Sequence, residues 1–360
     1  MGEICMEGFI SSAIGNSPAV VSAAVVDELM SNEKVKISVV GVGGGGTNTI
    51  HRLSRMGIKS AETIAINTDR LHLETIEAKR KLLIGASITK GLGSGGYPEV
   101  AQKCAQASKD ALREAIRGTQ LMFLCAGMGG GTGTGASPVV AEIARDEGCI
   151  VVGVVTYPFN LERARTQKAA WGIQELSKVS DTVIVVDNNR LAAFAPNLPI
   201  NQAFTLADEI TARAVKGISD TIMFPSLVNI DFADVRAIVG NAGVSMMSVG
   251  EGVGQNRVES VVKSTLEHPL IDVEFEGAKG ALLHINGGPG LTLGEATEIG
   301  EKLTDAMDVN ANVIWGARLD PEMRDAVTVT AILTGVKSPY GTAAPEQEEE
   351  KPRAVTLEYL

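Results

Sequence analysis

The stretch Leu121-Met-Phe-Leu-Cys-Ala-Gly-Met-Gly-Gly-Gly-Thr-Gly-Thr-Gly135 decides how this chain is read. Its apolar start has no polar alternation, the mark of a parallel strand covered on both faces. The glycines follow directly, and Ser137-Pro138 beyond them predicts the opening of a helix. Strand, glycine loop and helix together bring bare backbone N–H groups and a helix dipole to one point, where they attract phosphate.

Upstream, Gly41-Val-Gly-Gly-Gly-Gly-Thr-Asn48 repeats the arrangement between a strand at 35–40 and a helix expected from Asn48 to Met56. Alone, Gly41, Gly43 and Gly46 also satisfy the dinucleotide fingerprint, with Asp69 placed where a nicotinamide dehydrogenase keeps its ribose-binding acid. A dinucleotide fold needs one such loop, whereas two on one sheet edge surround the tail of a nucleoside triphosphate. No Gly-x-x-x-x-Gly-Lys-Ser/Thr occurs. The phosphate charge therefore falls to amides and threonine hydroxyls, with Mg²⁺ assisting.

Further strands at 63–66, 150–155 and 182–186, with helices at 137–146 and 161–176, predict a Rossmann-like, doubly wound α/β domain over residues 34–200. A long helix from Asn201 to Thr221 repeats Phe204, Ala207, Ile210, Ala214 and Ile218 at helical spacing, and Pro225 ends it. Residues 226–337 read as a smaller α+β domain with a mixed sheet. Its helices are expected at 233–239, 257–266 and 293–307, and its strands near 280–285, 312–317 and 326–334. The mixed polarity of those strands predicts one exposed face. Residues 1–33 are an extension too short in apolar run to span a bilayer and without a basic start, so a cytoplasmic protein with no direct membrane insertion is expected. Residues 338–360 form an acidic tail expected to be disordered, ending either in a short docking peptide or in a frayed end.

The 360 residues are enough for two domains, and 43 acidic against 32 basic residues, net −11, repel nucleic acid. Four cysteines in apolar contexts read as reduced, buried thiols. The four histidines form no metal-ligating pattern, so each, His72 included, takes its ordinary structural reading.

The run Gly129, Gly130, Gly131, Thr132, Gly133, Thr134, Gly135 resembles the signature loop of the tubulin/FtsZ superfamily, and from Lys34 to Lys337 the chain follows the FtsZ pattern of that family, in its archaeal form. The resemblance implies a GTPase that polymerises head to tail, binds GTP or GDP with Mg²⁺, and hydrolyses GTP between subunits, as the ring protein of cell division at midcell. It places the first nucleotide loop at Gly43, Gly44, Gly45, Gly46, Thr47 and Asn48, and the second at Asn67-Thr68-Asp69. A third, near the γ-phosphate, lies in 90–98 with Gly93, Gly95 and Gly96. The ribose segment holds Pro158 and Glu162, where the family's arginine four residues later is here a threonine and Arg165 is the favoured substitute over Arg163. Base recognition falls to Asn188, Phe204 and Asp208, the carboxylate selecting guanine through its N1 and N2 donors.

Asn229, Asp231 and Asp234 resemble the catalytic loop that one subunit inserts into its neighbour's site, although Asp231 alone reads as a helix N-cap. The family also implies a membrane adaptor reached through the tail, although this tail lacks the basic, proline-containing ending of bacterial relatives. Three classes stay in view: a polymerising GTPase first, then a tubulin-like scaffold that holds nucleotide without cleaving it, then a dehydrogenase. A scaffold would have lost the acids, which are present. Within the family, cell-shape relatives are harder to separate from division proteins.

Overall fold

The computed structural model describes residues 35–190, 197, 199–224, 226–228, 230–240, 243–267 and 277–336. The expected extension at 1–33, the tail at 338–360, and the residues Cys5, Pro225, Asn229 and His268 lie outside the described residues.

The apolar runs become strands β1 (Ile37–Val42), β2 (Glu62–Asn67), β3 (Arg80–Leu83), β4 (Leu121–Gly127), β5 (Ile150–Tyr157) and β6 (Thr182–Asp187). All pair in parallel, in the order β3-β2-β1-β4-β5-β6. Parallel neighbours need crossovers. The chain supplies α1 (Gly43–Arg55), α2 (Arg70–Thr75), α3 (Pro98–Ala107), α4 (Lys109–Ile116), α5 (Thr132–Asp146) and α6 (Ala164–Val179). Strand order reverses between β1 and β4, which opens a crevice at their carboxyl ends. Because side chains alternate along a strand, Val40 and Leu124 pack with Val140 of α5 on one face. Val39 and Phe123 pack with Leu53 of α1 on the other.

The second half begins with the long helix α7 (Ile200–Met223). It continues through α8 (Phe232–Val239), β7 (Gly243–Val253), α9 (Arg257–Leu266), β8 (Gly280–Gly287), α10 (Leu293–Thr304), β9 (Asn312–Leu319) and β10 (Ala326–Thr334). The sheet does not stop at β6. It runs on as β7-β10-β8-β9, with Thr182, Val183 and Ile184 of β6 registered in parallel on Gly243, Val244 and Ser245 of β7. From β7 the pairing turns antiparallel to β10. The expected doubly wound half and mixed second sheet are thus both present, joined by a strand that the periodicity does not reveal. Glycines interrupt the apolar pattern of β7 for a steric reason. A Cβ at Gly250 would fall 2.0 Å from Thr265 Oγ1, and one at Gly252 2.2 Å from the Arg257 carbonyl oxygen, so α9 lies directly on that strand.

The expected solvent-facing side of this second sheet is not found on β8. Leu282 packs with Ile218 of α7 and Ile238 of α8, and Leu283 with Val261 of α9 and Ile299 of α10. Polar residues of these strands such as His284 and Thr330 are themselves buried. Exposure falls on the first residues of β9, at the sheet edge, and on Glu251 and Val253 at the end of β7. Cys104, Cys125 and Cys149 are free and buried, and burial pushes the Cys125 thiol up to about 12. Among the described residues no helix is long and apolar enough to cross a membrane.

Candidate functional site

The two glycine loops prove to be helix beginnings. Helix α1 starts at Gly43 rather than Asn48, and α5 at Thr132 rather than Ser137, with Pro138 inside the helix. Glycine and threonine are weak helix formers in isolation, so the composition of the loops concealed the helical turns that packing imposes there. The first N–H groups of a helix have no intrahelical acceptor. Two rows of such donors therefore open onto the crevice between β1 and β4, each with the positive end of a helix dipole behind it.

Glycine is demanded there by backbone proximity. Gly43 has φ +73°, and a Cβ on it would sit 2.6 Å from the Gly133 amide nitrogen. A Cβ on Gly46 would sit 2.1 Å from the Cys125 carbonyl oxygen, which locks α1 against β4. One hydroxyl ties the remaining loops together. Thr132 Oγ1 lies 2.7 Å from Thr68 Oγ1 and 3.2 Å from Ser94 Oγ, which joins the segments around 67–69, 92–96 and 129–133. Lys168 Nζ of α6 donates to the Gly96 carbonyl at 2.7 Å and lies 5.7 Å above the Tyr97 ring, holding the 92–96 segment from outside.

Together these segments enclose a cavity of about 1200 Å³. Of the expected contacts, Gly44, Gly45, Asn48, Asp69, Gly93, Gly95, Gly96, Gly130, Gly131, Thr132, Gly133, Pro158, Glu162, Arg165, Asn188, Phe204 and Asp208 line it. Gly43, Gly46, Thr47, Gly129, Thr134 and Gly135 do not; they build its frame. Thr47 Oγ1 donates to the Gly43 carbonyl at 2.8 Å, and Thr134 Oγ1 accepts from the Gly129 amide at 2.9 Å.

One end of the cavity suits a planar base. Phe204, 45% exposed, stands edge-to-face with Phe159 at 5.7 Å between centroids and offers an open ring face. Asn188 is buried with an Oδ1 that has no partner, an arrangement that calls for a donor from a ligand. Asp208 accepts from Thr49 Oγ1 at 3.4 Å, and burial pushes its carboxyl up to about 6 against the opposing pull of Thr49 and Arg52. In the free protein its ionised form is thus the unfavourable one, a cost that appears as pH rises from the ordinary carboxylate range through about 6. Donors from a bound base reverse that balance. Guanine-nucleotide affinity should be full above pH 6 and fall by up to about tenfold per pH unit below it, which titration calorimetry between pH 5 and 8 would read. A flat profile would mean that Asp208 does not meet the base.

At the side, Glu162 Oε2 accepts from Arg165 Nη1 at 2.6 Å while Oε1 accepts from the Phe159 amide at 3.1 Å. Arg165 is therefore both at the cavity wall and ion-paired. Asp231 and Asp234 are elsewhere. They form a reciprocal capping box at the start of α8, each carboxylate accepting the other's backbone N–H at 2.8 and 3.1 Å. Ile230, just before them, packs with Ile218 and Ile222 in the last turns of α7. Phe204 and Ile218 are fourteen residues apart on that helix, about 20 Å at 1.5 Å per residue. These acids thus sit at the far end of α7 from Phe204 and the cavity that it lines.

The lining also includes His72, Leu92, Ser94, Met128, Thr156, Phe159 and Leu161. Ser94, Thr156 and Phe159 lie inside segments the sequence had marked. His72 had been set aside, yet Asp69 caps α2 by accepting the His72 amide at 3.1 Å, a short link to an expected site residue that was readable in the sequence.

The chain matches the family profile "Tubulin/FtsZ family, GTPase domain" over residues 36–196 and "FtsZ family, C-terminal domain" over 243–337. It is 60% identical over 309 residues to the cell division protein FtsZ 2 of Methanocaldococcus jannaschii, covering 85% of this chain and 81% of that one. It is 50% identical over 303 residues to cell division protein FtsZ 2 of Halobacterium salinarum, covering 84% and 77%. Among solved structures, the FtsZ dimer of M. jannaschii superposes with a TM-score of 0.84 at 39% identity, covering 92% of this chain and all of the other.

Proposed function

The chain belongs to the tubulin/FtsZ family, and from that premise we propose how its residues divide the work of a GTPase of cell division. It polymerises head to tail and hydrolyses GTP at the junction between subunits. Residues 34–200 form the nucleotide half, the segment 201–225 that contains most of α7 the connector, and 226–337 the half that carries the acids to the next molecule.

In this reading the amides of α1 and α5 hold the phosphate tail, Glu162 and Arg165 flank the ribose, and Phe204, Asn188 and Asp208 take the guanine. Mg²⁺ neutralises phosphate charge. Among the described residues no cluster of three acidic, cysteine or histidine side chains could cage a metal, so the ion would be carried by phosphate oxygens and water. Asp231 and Asp234, with Asn229 beside them in sequence, would orient the attacking water of a neighbouring molecule's GTP.

The observation that carries this division is the separation of the acids from their own cavity by most of the length of α7. A rigid helix cannot fold back, so a second copy must bring acids and nucleotide together. Exposed apolar side chains on both parts, Leu92 and Leu161 at the cavity and Leu227 near the acids, give that copy something to bury. The midcell ring is the place where such a polymer would act, and an adaptor engaging the tail would hold it to the membrane.

Phosphate release with GTP and Mg²⁺ should show a threshold in protein concentration, and the protein should sediment with GTP and not with GDP. Specific activity independent of concentration would mean that one chain holds a complete site.

A further inference from the structure

We propose that His72 is a ligand of the nucleotide's phosphate tail, fixed by Asn67 as the tautomer that carries its proton on Nε2. The inference rests on reading the cavity as a guanine-nucleotide site. The glycine-rich beginnings of α1 and α5 carry no lysine or arginine. Among the described residues that line the cavity, His72 and Arg165 alone are basic, and Arg165 is held in its ion pair with Glu162.

The tautomer follows from the hydrogen bonds. Asn67 Oδ1 accepts from the backbone amides of Thr68 at 2.8 Å and Asp69 at 3.3 Å, which fixes the orientation of the side-chain amide. Its Nδ2, a donor only, therefore faces His72 Nδ1 at 3.2 Å. Thr47 Oγ1, also near Nδ1 at 3.4 Å, already donates to the Gly43 carbonyl at 2.8 Å. A proton on Nδ1 would oppose the Asn67 donor, so Nδ1 is the acceptor and Nε2 the donor. With Nδ1 turned to Asn67 and Thr47, Nε2 is the nitrogen of this half-buried ring left for a ligand of the cavity that His72 lines. A single N–H offered to an anion from a ring whose other nitrogen is held by the Asn67 amide suits phosphate oxygen.

The test compares His72→Leu, which keeps bulk and removes the donor, with His72→Gln, which restores one. Displacement of a fluorescent GDP from the full-length chain should show GTP and GDP bound about ten- to thirtyfold more weakly by the Leu variant. Guanosine, which has base and ribose but no phosphate, should compete equally with both variants, and Gln should recover most of the loss. Long-range ¹H–¹⁵N spectra of the wild type, with His72 assigned by its absence from the Gln variant, should show the Nε2–H pattern. Unchanged GTP affinity in the Leu variant, an equal loss for guanosine, or an Nδ1–H pattern would each overturn the proposal while leaving the guanine site intact. A wild type that binds no guanine nucleotide would overturn the reading of the cavity itself.

Discussion

Asp234→Asn should yield a protein that folds, binds GTP and assembles, but releases phosphate about a hundredfold to a thousandfold more slowly than the wild type. Asparagine is chosen because Asp234 has a second task. Its Oδ2 accepts the Asp231 amide in the capping box, and an asparagine Oδ1 does the same, so α8 keeps its beginning. What is lost is the negative charge that would polarise a water against the neighbour's γ-phosphate. An alanine would remove charge and cap together and confuse the two. Because the acids sit at the far end of α7 from the cavity, the defect should also be complementable between chains. A variant that binds no nucleotide but keeps its acids, mixed with Asp234→Asn, should recover phosphate release at the mixed junctions. Full activity in the single variant would remove Asp234 from the chemistry. Loss of nucleotide binding would mean that it supports its own cavity.

Asp208→Asn should change which base is taken. A carboxylate presents two acceptors, matching the N1 and N2 donors of guanine. Asparagine presents one acceptor and one donor, matching xanthine, whose N1 donates and whose O2 accepts. Loss of one charge-assisted bond, with a donor now facing a donor, is worth roughly 3 kcal/mol, or about a hundredfold in GTP affinity. XTP should move in the opposite direction. The same substitution removes the carboxyl whose ionised form burial disfavours, so the free variant should not be less stable than the wild type at neutral pH, as a melting curve would show. A variant that bound GTP as before would place the base away from Asp208. One that bound neither nucleotide would point to a structural role alongside Thr49.

Much of this molecule is local enough to be legible without coordinates. Buried parallel strands such as Leu121–Gly127 announce themselves by unbroken apolar runs. The glycines that admit close backbone approach announce the crevice, and Phe204, Asp208 and Asn188, which the resemblance named, all line its cavity. Three features escaped. The helical beginnings at Gly43 and Thr132 were hidden because glycine favours loops in isolation and adopts helix here under packing against β4. Strand β7 was hidden because Gly250 and Gly252 serve the approach of α9 rather than strand propensity. His72 was passed over because its place three residues after Asp69 gives a lone histidine no chemical role until its ring nitrogens have neighbours.

By itself, the sequence determined the strand-and-glycine framework, the carboxylate of Asp208 one turn after Phe204 and the family, since each depends on residues near one another along the chain. Tertiary structure alone decided that the second sheet continues the first through β7, that Asn188 is left with an unanswered oxygen, and that Asp231 and Asp234 lie at the far end of α7 from Phe204. The physical reason is one of range. Propensity and periodicity act over a few residues, whereas the distance spanned by α7 and the burial around a side chain are set only when distant segments pack.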